Sequence, residues 1–433
     1  MQKILLILLL LPVFAQGQII TTIAGGGTGG LGDGGPATAA IVSNPGGVVF
    51  GKDSSLYVTT QTRIRKIDRY GIISTIAGTG VAGYGGDGGP ATAAKLNWAD
   101  GITVDTFGNI LFSDFFNFAI RKIDIATGVI TTICGNGIQA YTGDNGPASS
   151  AQLYSPESIF FDKRTGNLYV AENGAQVIRK ISPSGIITTV AGTGVLGFNG
   201  DGLNATATQL DYPEDVAVDS SGNIYISDGG NNRIRKINAS GIVSTIAGNG
   251  STVYGGSGGP ATSAQLVPQC FAQDLMHNMF ISGSEHVSKI DISGTFNNVA
   301  GTGVHGYAGD GGPATLAQLD HIHGIAIDPY GNLLIADGAN NRVRKVTFNP
   351  STLETNQLNL SSEPSIYPNP ATMSLIVSCS VEINTLAISN LLGQTVYSHE
   401  YGSQQIRIDV ASLPAGVYLI RINGTEVRRF VKD

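Results

Sequence analysis

The sequence predicts an all-β protein: a six-bladed β-propeller closed by its own N-terminal strand, followed by a small C-terminal β-sandwich. Three observations carry this. A phrase of the form Ile-Ala-Gly recurs at Ile23, Ile76, Ile133, Val190, Ile246 and Val299, in steps of 53, 57, 57, 56 and 53 residues. A fixed period of this size marks a solenoid, an array or a propeller. Between these phrases apolar residues alternate in short runs separated by Gly, Asn and Asp, the signature of strands and tight turns. Near residue 349 the period stops, and a different alternation begins at Ile366.

Residues 1–17 read as an export signal. Lys3 precedes an unbroken apolar run from Ile4 to Phe14. Such a run spans only about 16 Å as a helix, roughly half a bilayer core, so it does not predict a membrane anchor. Small residues follow with signal-peptidase spacing, as Val13 and Ala15 or as Ala15 and Gly17, giving a new N-terminus at Gln16 or Gln18.

Residues 18–349 hold the propeller. The fourth repeat reads as strands over Asp215–Asp219, Asn223–Ser227, Arg233–Asn238 and Ile242–Ala247, each pair joined by a turn. Four short strands make one blade, and six repeats make six. A second phrase keeps time with the first: Arg65-Lys66-Ile67, Arg121-Lys122-Ile123, Arg179-Lys180-Ile181, Arg235-Lys236-Ile237, Ser288-Lys289-Ile290 and Arg344-Lys345-Val346. The last repeat stops after its third strand near Thr347, and Ile19–Ala24 supplies the missing fourth. That pairing closes the ring and removes its open edges. A closed ring has no edge that demands a partner, so a monomer is expected.

Composition narrows the function. Charged residues are 13% of the chain, and 32 acids against 25 Lys and Arg leave a net charge of −7. Such a surface repels phosphate backbones, so nucleic acid is excluded as a partner. Glycine is abundant, 60 of 433, without the three-residue period of collagen. Three cysteines, Cys134, Cys270 and Cys379, do not make a disulfide framework. Cys134 stands where the sister repeats carry Ala, so it reads as a small buried residue.

Residues 350–365, rich in Ser, Thr, Asn and Glu, suit a linker. Residues 366–433 contain Tyr367-Pro368-Asn369-Pro370, Leu392-Gly393-Gln394, Leu413-Pro414-Ala415-Gly416-Val417-Tyr418 and a basic-apolar end, Arg428-Arg429-Phe430-Val431-Lys432. Several short strands in under 70 residues point to a small sandwich.

Two resemblances follow from these phrases. The inner strand Val216-Ala217-Val218-Asp219, then Gly222-Asn223-Ile224-Tyr225-Ile226-Ser227-Asp228, then Asn231 and Arg233, resemble the NHL family of propellers. The repeats are longer than is usual there and look like those of the teneurin propeller. The extra length is a Gly-rich loop, Gly86-Asp87-Gly88-Gly89-Pro90-Ala91-Thr92 in its fullest form. NHL propellers include enzymes and binding modules, so the fold leaves function open. The C-terminal phrases, in their order, resemble the sorting domain of type IX secretion cargo. That resemblance implies contact with the type IX machinery, passage through the periplasm, and a secreted or cell-surface location.

Candidate functional residues come from aligning the blades. Gly46, Asp100, Glu157, Glu214, Gln269 and His323 occupy one position at the start of the innermost strand, beside the mouth of the channel. Converging carboxylates disfavour joint ionisation unless a cation or cationic ligand compensates them. Ca²⁺ with oxygen ligands is the cation such a ring suits, and His323 would complete a transition-metal site instead. Tyr84, Tyr254 and Tyr307 recur in the Gly-rich loops as candidate anchors for an extracellular protein or glycan. The loop aspartates Asp33, Asp87, Asp144, Asp201 and Asp310 read as turn residues, since neither a P-loop lysine nor the short spacing of calcium repeats accompanies them. Asp228 and Asp337, five residues before Arg233 and Arg342, are expected to pair with those arginines. No Ser/His/Asp order stands out, so the sequence favours a non-catalytic binding module. The alternative is a metal-dependent hydrolase or lyase of lactonase type using the axial ring.

Overall fold

Each sequence repeat folds into one antiparallel sheet of four main strands, which in the first five sheets follow one another along the chain. In the fourth repeat these are Pro213–Val218, Ile224–Asp228, Arg233–Ile237 and Val243–Ala247, within two residues of the alternation read from the sequence. The computed structural model of the protein describes residues 18–348, 365–367, 371, 373–390, 394–423 and 426–432. The expected signal peptide, nearly all of the expected linker and Pro368-Asn369-Pro370 lie outside the described residues. The chain divides into two compact units, Met1–Thr352 and Leu353–Asp433.

The first unit contains six such sheets among its described residues, an arrangement that fits a β-propeller. The sixth sheet is built from Ile322–Ile327, Leu333–Asp337 and Arg342–Thr347, and its fourth member is the N-terminal strand Ile19–Gly25. Ile20 pairs with Val346 and Thr22 with Arg344. Apolar clusters lie between neighbouring sheets. One joins Phe112 of the second sheet to Tyr57 and Ile64 of the first. Another joins Leu334 and Val343 of the sixth to Val48 and Val58 of the first.

Local chemistry explains the repeated phrases. Asp219 opens the turn between the first two strands of its sheet: one carboxylate oxygen accepts the Ser221 and Asn223 backbone N–H groups, and the other accepts the Asn223 amide. The glycine of each Ile-Ala-Gly has positive φ. At Gly78 (φ +89°) a Cβ would stand 2.1 Å from the Thr62 carbonyl oxygen, so no other residue fits. The alanine or cysteine before it is fully buried in all six copies, Cys134 included.

The Gly-rich loop is a clip. Gly88 N–H donates to the Ile130 carbonyl and Ala91 N–H to that of Gly128, fastening the loop that leaves the first sheet onto the outer hairpin of the second. Pro90 then starts a short 3₁₀ turn, Ala91–Ala93. In the last copy the same loop grips the N-terminal strand, with Ile20 N–H donating to the Gly312 carbonyl and Gly311 N–H to that of Ile20.

The second unit corrects the expected β-sandwich. Its strands, Ser365–Tyr367, Ser374–Asn390, Thr395–Asp409, Gly416–Ile422 and Glu426–Lys432, form one continuous sheet curled as a half-barrel. The 17-residue strand Ser374–Asn390 pairs with Thr395–Asp409 from Ser374↔Asp409 to Ser389↔Thr395, with three register shifts on the way. Such irregularities bend a strand, so one long ribbon supplies both walls around a core that includes Leu375, Leu386, Ile408, Ile420 and Phe430.

Candidate functional site

The innermost strands of the six sheets line a cavity of about 800 Å³. Glycine lets them approach. A Cβ on Gly101 would lie 2.6 Å from the Glu157 carbonyl oxygen, and one on Gly324 would lie 2.5 Å from that of Gly46. Asp100, Glu157, Glu214, Gln269 and His323 all face this cavity, so the structure brings five of the six aligned positions together. The sixth, Gly46, leaves room for its neighbour: a Cβ there would stand 3.0 Å from Asp100 Oδ1.

The electrostatics of this cluster are set first by burial. Burial holds the Asp100 carboxyl above its usual range, opposed by the nearby His323 and by hydrogen bonding with Glu157. Burial, then the charges of Asp100 and Glu214, push Glu157 well up. Glu214 rises to about 8, through burial first and then the charges of Asp100 and Asp215. Near neutral pH Glu214 therefore keeps its proton and can donate as well as accept hydrogen bonds. The remainder of the cavity lining mixes apolar residues, among them Ile102, Ile159, Phe161, Val216 and Ile325, with polar ones that include Thr103, Lys163, Arg164 and Asp219.

Sequence reasoning missed Asp215, which joins three sheets. Its Oδ1 accepts the Ser158 hydroxyl at 2.5 Å, while Oδ2 accepts the Phe271 N–H at 2.9 Å. Burial raises it to about 6. The available signal was a carboxylate standing where the sister repeats carry Gly101, Ser158, Cys270 and Gly324.

The repeated arginines form the other polar system. Arg121 is fully buried in the third strand of its sheet and binds Asp114 Oδ2 at 3.0 Å and the loop Asp87 Oδ1 at 2.6 Å. Arg179 does the same with Glu172 and Asp144, and Arg235 with Asp228 and Asp201. Arg344 binds Asp310 at 2.6 Å and stands 3.6 Å from Asp337. The expected pairs Asp228–Arg233 and Asp337–Arg342 are thus replaced by pairs with Arg235 and Arg344. Arg233 and Arg342 lie opposite the aspartates on the same face but donate to the Asn231 and Asn340 carbonyls, while Arg235 and Arg344, two residues further along that face, take the carboxylates. The loop aspartates are accordingly ion-pair partners as well as turn residues.

Two of the three candidate anchors, Tyr84 and Tyr307, lie over arginines. The Tyr84 ring covers Arg121 with a 5.0 Å separation, and its hydroxyl meets Thr132 Oγ1 at 2.9 Å. The Tyr307 ring lies over Arg342 at 3.7 Å, and its hydroxyl donates to Asp310. Tyr254 stacks on His286 with centroids 3.7 Å apart. Tyr84 is 52% exposed and Tyr307 41%, while Tyr254 is half-buried. They sit over outer strands and do not line the axial cavity. Burial pushes the Cys134 thiol up to about 12, so it is inert at neutral pH.

Comparison with known proteins agrees with both units. Residues 25–82 and 196–263 match the Teneurin NHL domain, and residues 365–432 match the secretion system C-terminal sorting domain. Teneurin-1 of Gallus gallus is 29% identical over 311 residues, 67% of this chain and 10% of the teneurin. Teneurin-m of Drosophila melanogaster is 29% identical over 231 residues, 48% of this chain and 8% of its own length. The chain thus spans about a tenth of the teneurins it matches. A Bacteroides thetaiotaomicron protein of unknown function (TM-score 0.57, 18% identity, 77% of this chain and 76% of that one) shares the fold. So does an auxiliary nutrient binding protein from Bacteroides ovatus (TM-score 0.57, 17% identity, 77% of each chain). The type IX sorting domain marks the chain for secretion or display at the cell surface. No helix among the described residues is long and apolar enough to cross a membrane.

Proposed function

We propose that this chain, which joins teneurin-like NHL repeats to a type IX sorting domain, is a closed six-bladed propeller over residues 18–349 that works outside the cell as a non-catalytic binding module. Its ligand is a saccharide seated in the axial cavity. One observation carries the reading: a cavity of about 800 Å³ whose wall combines apolar residues with convergent carboxyl groups at Asp100, Glu157 and Glu214. That volume suits a small ligand, and apolar residues with convergent polar groups are the usual composition of such sites. Carboxyls that keep their protons both donate to and accept from hydroxyl groups, which suits a polyol. Closure is supported by the pairing of Ile19–Gly25 with Arg342–Thr347 and by the core shared between the sixth and first sheets. Tyr84, Tyr254 and Tyr307 belong to a peripheral contact area for a protein partner, supported by the solvent exposure of Tyr84 and Tyr307. The exported form is a monomer.

Titration calorimetry of the exported chain against a panel of mono- and oligosaccharides tests this. Binding that weakens at least tenfold in Glu157→Gln and Glu214→Gln supports it. Binding that these variants leave untouched, or no binding across the panel, overturns it.

The convergence of Asp100, Glu157 and Glu214 with His323 on one cavity favours a second reading, a metal-dependent hydrolase or lyase. There the acids and His323, with Gln269, would hold Ca²⁺ or a transition metal. Loss of lactone or ester hydrolysis on chelation and in Asp100→Asn would favour it over the binding module.

A further inference from the structure

Three metal-ligating side chains meet outside the axial cavity. His305 Nδ1 stands 2.9 Å from Asp320 Oδ1, and His321 Nδ1 stands 2.7 Å from the same oxygen. One ligand atom from each residue lies within 4.8 Å of the others, and the imidazole centroids are 5.7 Å apart. Behind His305, on its other nitrogen, is a second carboxylate: Glu285 Oε1 is 3.4 Å from Nε2.

We propose that His305, His321 and Asp320 form a site for a divalent transition metal, Zn²⁺ in the first instance, with Glu285 orienting His305 from outside the ligand shell. Two imidazoles and one carboxylate are a zinc-type donor set, and three protein ligands leave one position open. Ligand atoms of a tetrahedral zinc with bonds of about 2.0–2.1 Å stand about 3.4 Å apart. The present separations reach that spacing through small side-chain rotations. A carboxylate on the distal nitrogen of a metal-bound histidine is the usual outer-shell partner, fixing tautomer and ring orientation.

The backbone under the site is held firmly. Asp320 N–H donates to Asp337 Oδ1 at 2.8 Å, and the Asp320 and His321 carbonyls accept from Ala339 and Gly338. Ile322 N–H donates to the Ser284 carbonyl, which keeps the Glu285 hairpin of the fifth sheet beside the sixth. The imidazoles themselves are open to solvent, 62% and 58% exposed.

The repeats supply an internal control. At the three equivalent positions the third repeat carries Gln139, Tyr154 and Ser155, and the fourth carries Leu196, Asp211 and Tyr212. His321 has left-handed φ (+50°), as do Ser155 and Tyr212, so this conformation belongs to the fold and needs no histidine. The donor set is therefore an addition to the sixth repeat. It is also separate from the axial cluster, whose histidine is His323.

Titration calorimetry of the tag-free exported chain with ZnCl₂ alone tests the site, with Co²⁺ absorption as a second readout of tetrahedral nitrogen and oxygen ligation. One equivalent of Zn²⁺ is expected. Its affinity should fall at least tenfold in His305→Ala and in His321→Ala, fall about tenfold in Glu285→Gln, and remain unchanged in Asp100→Asn/Glu157→Gln/Glu214→Gln. Absence of Zn²⁺ binding overturns the proposal, as does binding that survives both histidine substitutions or depends on the axial carboxyls. The saccharide titration has a different readout, so either proposal can fail without the other.

Discussion

Arg235, with its side chain wholly buried, reaches Asp201 across 34 residues of sequence, Nη2 to Oδ1 at 3.0 Å, and so ties the Gly-rich loop to the third strand of the next sheet. Its Nη1 meets the equally buried Asp228 at 3.2 Å. The fifth repeat shows what this linkage requires. Ser288 replaces the arginine, Ser257 the loop aspartate and Gly283 the strand-end acid. Removing one member leaves a buried charge unpaired, whereas removing all three leaves none.

Arg235→Ser alone is therefore expected to destabilise the protein by about 3 kcal/mol, because Asp228 stays buried without its cation. Adding Asp201→Ser and Asp228→Ser should recover part of that loss. Denaturant unfolding of the single and triple variants reads both effects. A triple variant less stable than the single one would contradict the coupling.

The buried axial acids predict an inverted pH dependence. Glu214 is raised from the ordinary glutamate range to about 8 in the folded chain. The folded state thus binds the proton more tightly than the unfolded state, and stability falls as pH rises from about 5 to about 8. Glu157 acts in the same direction. Glu214→Gln should flatten this slope and add on the order of 2 kcal/mol at pH 8 relative to pH 5, measured by unfolding at the two pH values. A slope unchanged in the variant would rule Glu214 out as its source.

Gly101→Ala is expected to cost more than 2 kcal/mol, since its Cβ would fall 2.6 Å from both the Glu157 carbonyl oxygen and the Ser158 Cα. Gly29, which has nothing within 4 Å of its would-be Cβ, is the matched control and should tolerate alanine. Equal melting temperatures for the two variants would refute the close approach of the inner strands.

Ile20 is fully buried among residues of the fifth and sixth sheets, including Val299 and Ile335. Ile20→Ala should lower stability by about 3 kcal/mol, as in other buried large-to-small substitutions. A neutral result would show that the N-terminal strand does not hold the sixth sheet in solution.

Much of this was legible in the sequence because the repeats are written in local chemistry. The strands of the fourth repeat, the buried Cys134, the pairing of Ile19–Gly25 with the final repeat and the convergence of Asp100, Glu157, Glu214, Gln269 and His323 follow from counting within one period. Asp215 was missed because its partners, Ser158 and Phe271, belong to neighbouring sheets 57 and 56 residues away. The arginine partners were misassigned because sequence distance favoured Arg233, whereas in the fold Arg233 donates to the Asn231 and Asn249 carbonyls and leaves Asp228 to Arg235, on the same face of the strand.

By itself, then, the sequence determined the repeat, the turn positions, the small residue before each Ile-Ala-Gly glycine and the two-part organisation with an export tail. Each depends on residues near one another in the chain. Only the tertiary structure decided which carboxylates are buried together, that His305, Asp320 and His321 stand around one point, and that the C-terminal ribbon curls into one sheet. These depend on distances between side chains from different hairpins and on burial, which sets the cost of charge. Neither is recorded in the order of the residues until the sheets are packed.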